Sequence, residues 1–153
     1  MSKSSPVISV VVPLYNEEDN IAPLVERLNA VLSKINMTSE IILIDDGSSD
    51  KTWQNIQSIC NDYQKVRATR FSRNFGHQHA IFAGIKIAKG QAIISMDGDL
   101  QHPPEVIPQL ISEWKSGAKI VNTIREDKET AGPFKRFFSK LFYKVFIKLA
   151  SKN

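Results

Sequence analysis

Short apolar runs rich in β-branched residues alternate along this chain with longer stretches of helical periodicity. Val7-Ile8-Ser9-Val10-Val11-Val12 is almost wholly apolar, as expected of a strand buried on both faces. After it, Ile21, Leu24, Val25, Leu28, Val31, Leu32 and Ile35 recur at spacings of three and four, which predicts an amphipathic helix. Asn16, Asp19 and Asn20 are its candidate caps. Glu40 to Ile44 predicts a second buried strand, and Trp53, Ile56, Ile59, Cys60 and Tyr63 a second helix. Val66 to Phe71 reads as a third, less apolar strand. A helix through Ala80, Ile81, Ala83, Gly84, Ile87 and Ala88 follows, with Gly90 as its expected stop. Ala92 to Ser95 is the fourth strand. Pro103-Pro104-Glu105 opens a helix carrying Val106, Ile107, Leu110, Ile111 and Trp114. It ends near Gly117, and Ala118 to Ile124 reads as a fifth strand. This order defines an α/β fold with a mostly parallel sheet and helices on both faces.

In such sheets ligands bind outside the carboxyl ends of the strands, and the polar residues of this chain collect there. The first strand ends in Tyr15, Asn16 and Glu17, and the second in Asp45 and Asp46. The third ends near Arg70, Ser72, Arg73 and Asn74, the fourth in Asp97, Asp99, Gln101 and His102, and the fifth in Arg125, Glu126 and Asp127. Paired acids after two separate strands exceed what polar loops alone supply. Asp97 and Asp99 are two residues apart, so on extended chain they face one side and can meet one cation. Hard oxygen donors suit Mg²⁺ or Mn²⁺, ions that share their shell with substrate phosphates. Gly98 between them permits a tight bend. The other reading of the pair is a solvated turn.

Several other chemistries are excluded or left open. No Gly-x-Gly-x-x-Gly follows the first strand and no P-loop is present, so phosphates must be handled another way. Tyr15 either stacks on a base or packs at its strand end. Asp45 and Asp46 either accept hydrogen bonds from a base or ribose or cap the next helix. Arg73 and Arg125 either meet phosphate oxygens in forked geometry or are solvated. His77, His79 and His102 lack the spacing of a zinc set, and no Ser-His-Asp signature occurs. A single cysteine, Cys60, permits no internal disulfide and reads as core filler.

Charge is unevenly placed. Phe134 to Asn153 holds six basic residues and no acid, so the overall +4 leaves −2 for residues 1–133. That weakens a nucleic-acid role for the whole domain. Phe134, Phe137, Phe138, Leu141, Phe142, Val145, Phe146 and Leu149 form one apolar stripe, with Lys135, Arg136, Lys140, Lys144 and Lys148 off it. A helix of this kind lies in a membrane interface, or packs as an ordinary amphipathic helix. No apolar run reaches the ~20 residues of a membrane span. The expected organisation is an α/β domain over 1–133 and a basic amphipathic helix over 134–153.

Four segments then carry a resemblance. They are Val11-Val12-Pro13-Leu14-Tyr15-Asn16-Glu17-Glu18, Ile44-Asp45-Asp46-Gly47-Ser48-Ser49-Asp50-Lys51-Thr52, Ser72-Arg73-Asn74-Phe75-Gly76-His77-Gln78 and Met96-Asp97-Gly98-Asp99-Leu100-Gln101-His102-Pro103-Pro104-Glu105. Together they resemble family 2 glycosyltransferases, above all the branch that moves a sugar from a nucleotide sugar to a polyprenyl phosphate. Bactoprenol glucosyltransferases and dolichyl-phosphate mannose synthases are examples. The resemblance implies a GT-A fold and an inverting transfer. It implies nucleotide contacts at Pro13, Tyr15, Glu17, Asp45, Asp46 and Arg73. It places Mg²⁺ or Mn²⁺ at Asp97, Asp99 and Gln101, and sets Arg125 toward the phosphates, so that Asp97, Asp99 and Arg125 form the catalytic group. The implied donor is UDP-glucose, with GDP-mannose the other option, and the implied acceptor is a polyprenyl phosphate at the cytoplasmic face of a membrane. Metal and arginine would stabilise charge on the departing nucleoside diphosphate. The acceptor phosphate is already anionic, so alignment matters more than a strong base. Family members continue past the equivalent of Asn153 with an acceptor-side motif, so the chain is expected to be an N-terminal portion. The competing expectations are a nucleotide-sugar-binding module without turnover and a basic-tailed membrane or RNA binder.

Overall fold

A computed structural model describes residues 6–123, which lie almost wholly in a compact unit from Met1 to Val121. Four parallel strands, β1 (Ile8–Leu14), β2 (Ser39–Asp45), β3 (Val66–Arg70) and β4 (Ala92–Ser95), form one sheet in the order β3-β2-β1-β4. The helices are α1 (Ile21–Ser33), α2 (Thr52–Asp62), α3 (His77–Ile87) and α4 (Ile107–Lys115), the last preceded by a 3₁₀ turn at Pro104–Val106. The architecture is α/β with the sheet covered on both faces, as the alternation predicts.

Strand β1 explains the arrangement. All seven of its residues are buried, and successive side chains serve opposite faces. Val10, Val12 and Leu14 join Ile41 and Leu43 of β2 in a core with Leu24, Val25 and Leu28 of α1, Ile56 of α2 and Ile107 of α4. Val11, Ile42 and Ile44 face the other way, onto Ala80 of α3. The chain steps outward from β1 to β3, then returns through α3 to lay β4 on the far side of β1. Neighbouring strands thus leave β1 in opposite directions, and the crevice between the carboxyl ends of β1 and β4 is where such a fold binds ligands.

Four sequence expectations change. Among the described residues 118–123 there is no strand, and Ile120 is 82% exposed; apolar character alone makes no strand unless the segment packs and pairs. Ile124 and Arg125 lie outside the described residues, as does the predicted helix over 134–149. Helix α3 ends at Ile87 with an extended cap at Ala88, before Gly90. Asn20 occupies the N-cap of α1 without a side-chain capping bond; its amide instead donates to Glu17 Oε2 at 2.6 Å. Helix α2 starts after Lys51, again without a side-chain cap, so neither Asp45 nor Asp46 caps it.

Candidate functional site

A cavity of about 320 Å³ opens at the carboxyl ends of the strands, lined by Pro13, Leu14, Tyr15, Glu17, Asp46, Asn74, His77, Asp97, Gly98 and Asp99. The structure therefore unites Pro13, Tyr15, Glu17, Asp46, Asp97 and Asp99 from the predicted set. Tyr15 is 46% exposed, so it is no core aromatic at a strand end; its ring is open to the cavity.

The loop that carries Tyr15 and Glu17 is held by the loop after β2. Asn16 adopts φ 55°, a conformation that asparagine tolerates better than most residues. Its Oδ1 accepts the Ser49 N–H at 2.9 Å, and its own N–H donates to Ser48 Oγ at 2.9 Å. The Glu17 N–H donates to Thr52 Oγ1 at 2.8 Å, and Glu18 Oε2 accepts the Lys51 N–H at 2.8 Å. The Asp45–Thr52 segment is thus chiefly a brace for the β1 loop. The same brace holds Asp50 below its ordinary carboxyl value: burial pushes it up, but bonds from Thr52 and the Glu18 N–H outweigh that.

Asp45 and Asp46 part company. Asp45 is fully buried and does not line the cavity; Oδ1 accepts the Ser48 N–H at 3.0 Å and Oδ2 lies 3.0 Å from Arg70 Nε. That ion-pair contact is too poorly aligned to satisfy Oδ2 as a hydrogen bond. Asp46 lines the cavity, yet both its oxygens are engaged, accepting the N–H groups of Phe75 and Gly76 at 2.8 and 2.9 Å. Those residues immediately precede α3. Gly47 seals the junction: at φ 70°, a Cβ there would lie 2.3 Å from the Arg73 carbonyl carbon, so the loop after β3 rests directly on it.

The acids after β4 sit where a glycine lets them. A Cβ on Gly98 would lie 2.2 Å from a Leu14 methyl, so close approach to β1, rather than a left-handed bend, is what the glycine provides. Asp99 Oδ1 accepts the Gln101 N–H at 2.9 Å. Asp97 Oδ1 and Oδ2 lie 3.3 Å from His77 Nε2 and 3.4 Å from His102 Nδ1. The side chain of Gln101 does not line the cavity. Neither does Arg73, which places its guanidinium 4.7 Å over the Phe75 ring. Sequence reasoning placed Asn74 at the strand ends without giving it a role, and missed His77. The signal was available, because the Ser72–Gln78 segment lies at a strand end and runs into a helix start.

Among the described residues the lining holds four carboxylates, Glu17, Asp46, Asp97 and Asp99, and no lysine or arginine. A nucleoside diphosphate would be repelled from such a surface unless a cation came with it. Among the described residues no group of three His, Cys, Asp or Glu side chains is arranged to hold a metal alone. Two carboxylates completed by substrate phosphates is the usual arrangement for Mg²⁺, and Asp97 and Asp99 fit it. Among the described residues no helix is long and apolar enough to cross a membrane.

A parallel sheet with acids at its switch point marks a ligand site without naming the ligand, and comparison with known proteins gives the class. The sequence pattern of Glycosyl transferase family 2 matches residues 9–150, and the chain belongs to that family. The chain is 40% identical to a prophage bactoprenol glucosyl transferase homolog of Escherichia coli, covering 94% of this chain and 47% of that one. It is 38% identical to an undecaprenyl-phosphate 4-deoxy-4-formamido-L-arabinose transferase of Pectobacterium atrosepticum, covering 95% and 41%. It spans less than half the length of these relatives. A mannosyltransferase of Pyrobaculum calidifontis, solved with GDP-Man and Mn²⁺, superimposes with a TM-score of 0.62 at 19% identity over 83% of this chain and 38% of that one. At that identity the likeness is one of fold.

Proposed function

We propose that this chain supplies the donor-binding part of an inverting glycosyltransferase that moves a hexose from a nucleoside diphosphate sugar to a polyprenyl phosphate. The observation that carries the reading is the cavity itself: an open aromatic, Tyr15, and a carboxylate pair, Asp97 and Asp99, line the same space, with no basic side chain in the lining among the described residues. Tyr15 stacks on the base, and Pro13 and Glu17 line the nucleoside end. Asp97 and Asp99 hold Mg²⁺ or Mn²⁺ with Gln101 beside them, and the ion neutralises the diphosphate as it leaves. Asp46 acts on this site by fixing the wall that carries His77. Asp45 acts from further back, through Ser48 and Arg70. Arg125 is assigned to phosphate, and Arg73, outside the lining, to holding the Phe75 ring. The names of the relatives, bactoprenol glucosyl transferase and undecaprenyl-phosphate 4-deoxy-4-formamido-L-arabinose transferase, support the lipid acceptor, and the first of them supports glucose over mannose as the sugar.

Calorimetric titration of UDP, UDP-glucose and GDP-mannose, each with and without Mn²⁺, tests the donor assignment. Metal-dependent binding of a uridine nucleotide is the expected result. A folded sample that binds no nucleotide with Mn²⁺ present would overturn it.

The acceptor presents its phosphate at a bilayer surface, so we assign residues 134–149 to an anionic membrane on the cytoplasmic face. The apolar stripe enters the interface, and each basic residue near an anionic leaflet adds roughly 1 kcal/mol. Sedimentation with anionic and neutral vesicles, comparing the full chain with one ending at Gly132, checks this. Equal sedimentation of the two chains, or indifference to lipid charge, would remove the assignment.

A further inference from the structure

Two histidines converge on Asp97, one at each carboxylate oxygen. His77 is the first residue of α3, and its Nε2 is 3.3 Å from Asp97 Oδ1. His102 follows the acidic turn, and its Nδ1 is 3.4 Å from Asp97 Oδ2. Each is brought there by a specific backbone feature. Asp46 clamps the N–H groups of Phe75 and Gly76 and so fixes where α3 begins. Leu100 takes φ 61°, a conformation that costs a bulky residue energy and persists only where surroundings impose it; it lies between Asp99 and the residues that return to Asp97. Among the described residues Asp99, by contrast, meets only the Gln101 N–H, at one oxygen.

We propose that His77 and His102 are positioning residues for Asp97. They donate N–H groups to its two oxygens and fix the carboxylate plane toward the cation, while Asp99 offers its less encumbered carboxylate as the stronger ligand. This rests on the metal-dependent donor site proposed above. Carboxylates that bind metal are themselves held by hydrogen bonds, and loss of such a partner costs 10- to 100-fold in metal affinity. Contacts of 3.3 and 3.4 Å are longer than charge-assisted bonds at their optimum, and catalytic hydrogen bonds commonly tighten only when ligand arrives. Both imidazoles are about half exposed, so replacing them leaves the core intact.

The test is Mn²⁺ affinity of the 153-residue chain at saturating UDP and fixed pH, read from the free-ion signal in electron paramagnetic resonance. If the parent binds no Mn²⁺ with UDP, the donor-site reading fails first. Given parental binding, His77→Ala and His102→Ala are each expected to weaken Mn²⁺ about tenfold, with metal-free UDP affinity unchanged. His77→Gln places an amide N–H near the lost Nε2, and His102→Asn places one near the lost Nδ1; both are expected to recover most of the affinity. Alanine variants that hold Mn²⁺ like the parent overturn the proposal. So do Gln and Asn variants as weak as alanine, which would make the imidazoles direct ligands.

Discussion

The two ends of the sheet use the same residue types for opposite ends. At the amino end, Glu40 is 7% exposed and fully engaged. It accepts from the Ser9 hydroxyl at 2.7 Å, the Lys89 N–H at 2.8 Å and Arg67 Nε at 2.9 Å. Ser9 in turn accepts the Gly90 N–H at 2.8 Å. Four strand starts are tied together by one carboxylate. At the carboxyl end Asp97 is 40% exposed and, among the described residues, has only long contacts to two imidazoles. A polar group that finds all its partners within the chain stabilises the fold; one left short of partners is available to a ligand. Satisfaction, more than residue type, separates the structural acid from the functional one.

The largest expected effect lies at the open end. Asp99→Ala should bring Mn²⁺-dependent UDP binding below detection while the thermal unfolding curve stays that of the parent, because a half-exposed turn residue adds little to the core. A folded Asp99→Ala protein that binds UDP and Mn²⁺ like the parent would break the contrast between the two ends.

The closed end should behave in the reverse way. Glu40→Ala leaves the buried Ser9 hydroxyl and the Lys89 N–H without an acceptor, at a cost of about 1–3 kcal/mol for each unsatisfied group, and should leave UDP affinity of the folded protein unchanged. The pH dependence has a definite sign. Burial raises the Glu40 carboxyl, but Ser9, the Lys89 N–H and Arg67 outweigh it and hold the group below its usual 4.5. A depressed acid contributes stability that is fully present above its unfolded value and is lost as pH falls through its folded one. Denaturant melts of the parent and Glu40→Gln should therefore differ most above pH 4.5 and converge below it. A gap that widened in acid would contradict the network.

How much of this was legible beforehand follows from range along the chain. Strands β1 to β4 and the helices between them are written in periodicity, a local property. The carboxylate pair was legible because spacing of two puts Asp97 and Asp99 together. What periodicity cannot show is partnership at distance. Ala118–Ile124 looks like a strand, but its described part, 118–123, pairs with no neighbour among the described residues. Asp46 and Phe75 lie 29 residues apart, and nothing local marks their bond. His77 was set aside because the histidines lack zinc spacing, a test blind to an imidazole that serves a carboxylate. Cys60 needed no such information: burial raises its thiol, as befits core filler.

Asp46 belongs to both ends of the comparison, lining the cavity yet fully engaged. Asp46→Ala removes two hydrogen bonds to a charged acceptor. It should cost about 2 kcal/mol and should weaken UDP binding in Mn²⁺ as well, through the misplaced start of α3. Asp46→Asn keeps one acceptor oxygen and should recover part of both losses. If UDP affinity falls in either variant with stability unchanged, Asp46 touches the nucleoside directly and is no clamp.

The smallest effect is expected where a pair is well formed but exposed. Arg27 of α1 donates to Glu105 through Nε at 3.2 Å and Nη2 at 2.7 Å, a forked geometry that matches Arg67 and Glu40 in chemistry. The hydrogen bond to Glu105 raises the guanidinium, and the bond from Arg27 lowers the carboxyl. Both side chains are well exposed, at 39% and 56%, whereas Glu40 is enclosed. Water and salt screen the exposed pair, and two long side chains lose rotamer freedom to form it, so such pairs add little. Arg27→Ala should leave the unfolding midpoint and UDP affinity at parental values in both low and high salt. A clear loss of stability at low salt that vanishes at high salt would show this contact holding the turn after Asp99 against α1. Enclosure would then not be what separates the two arginine–glutamate pairs.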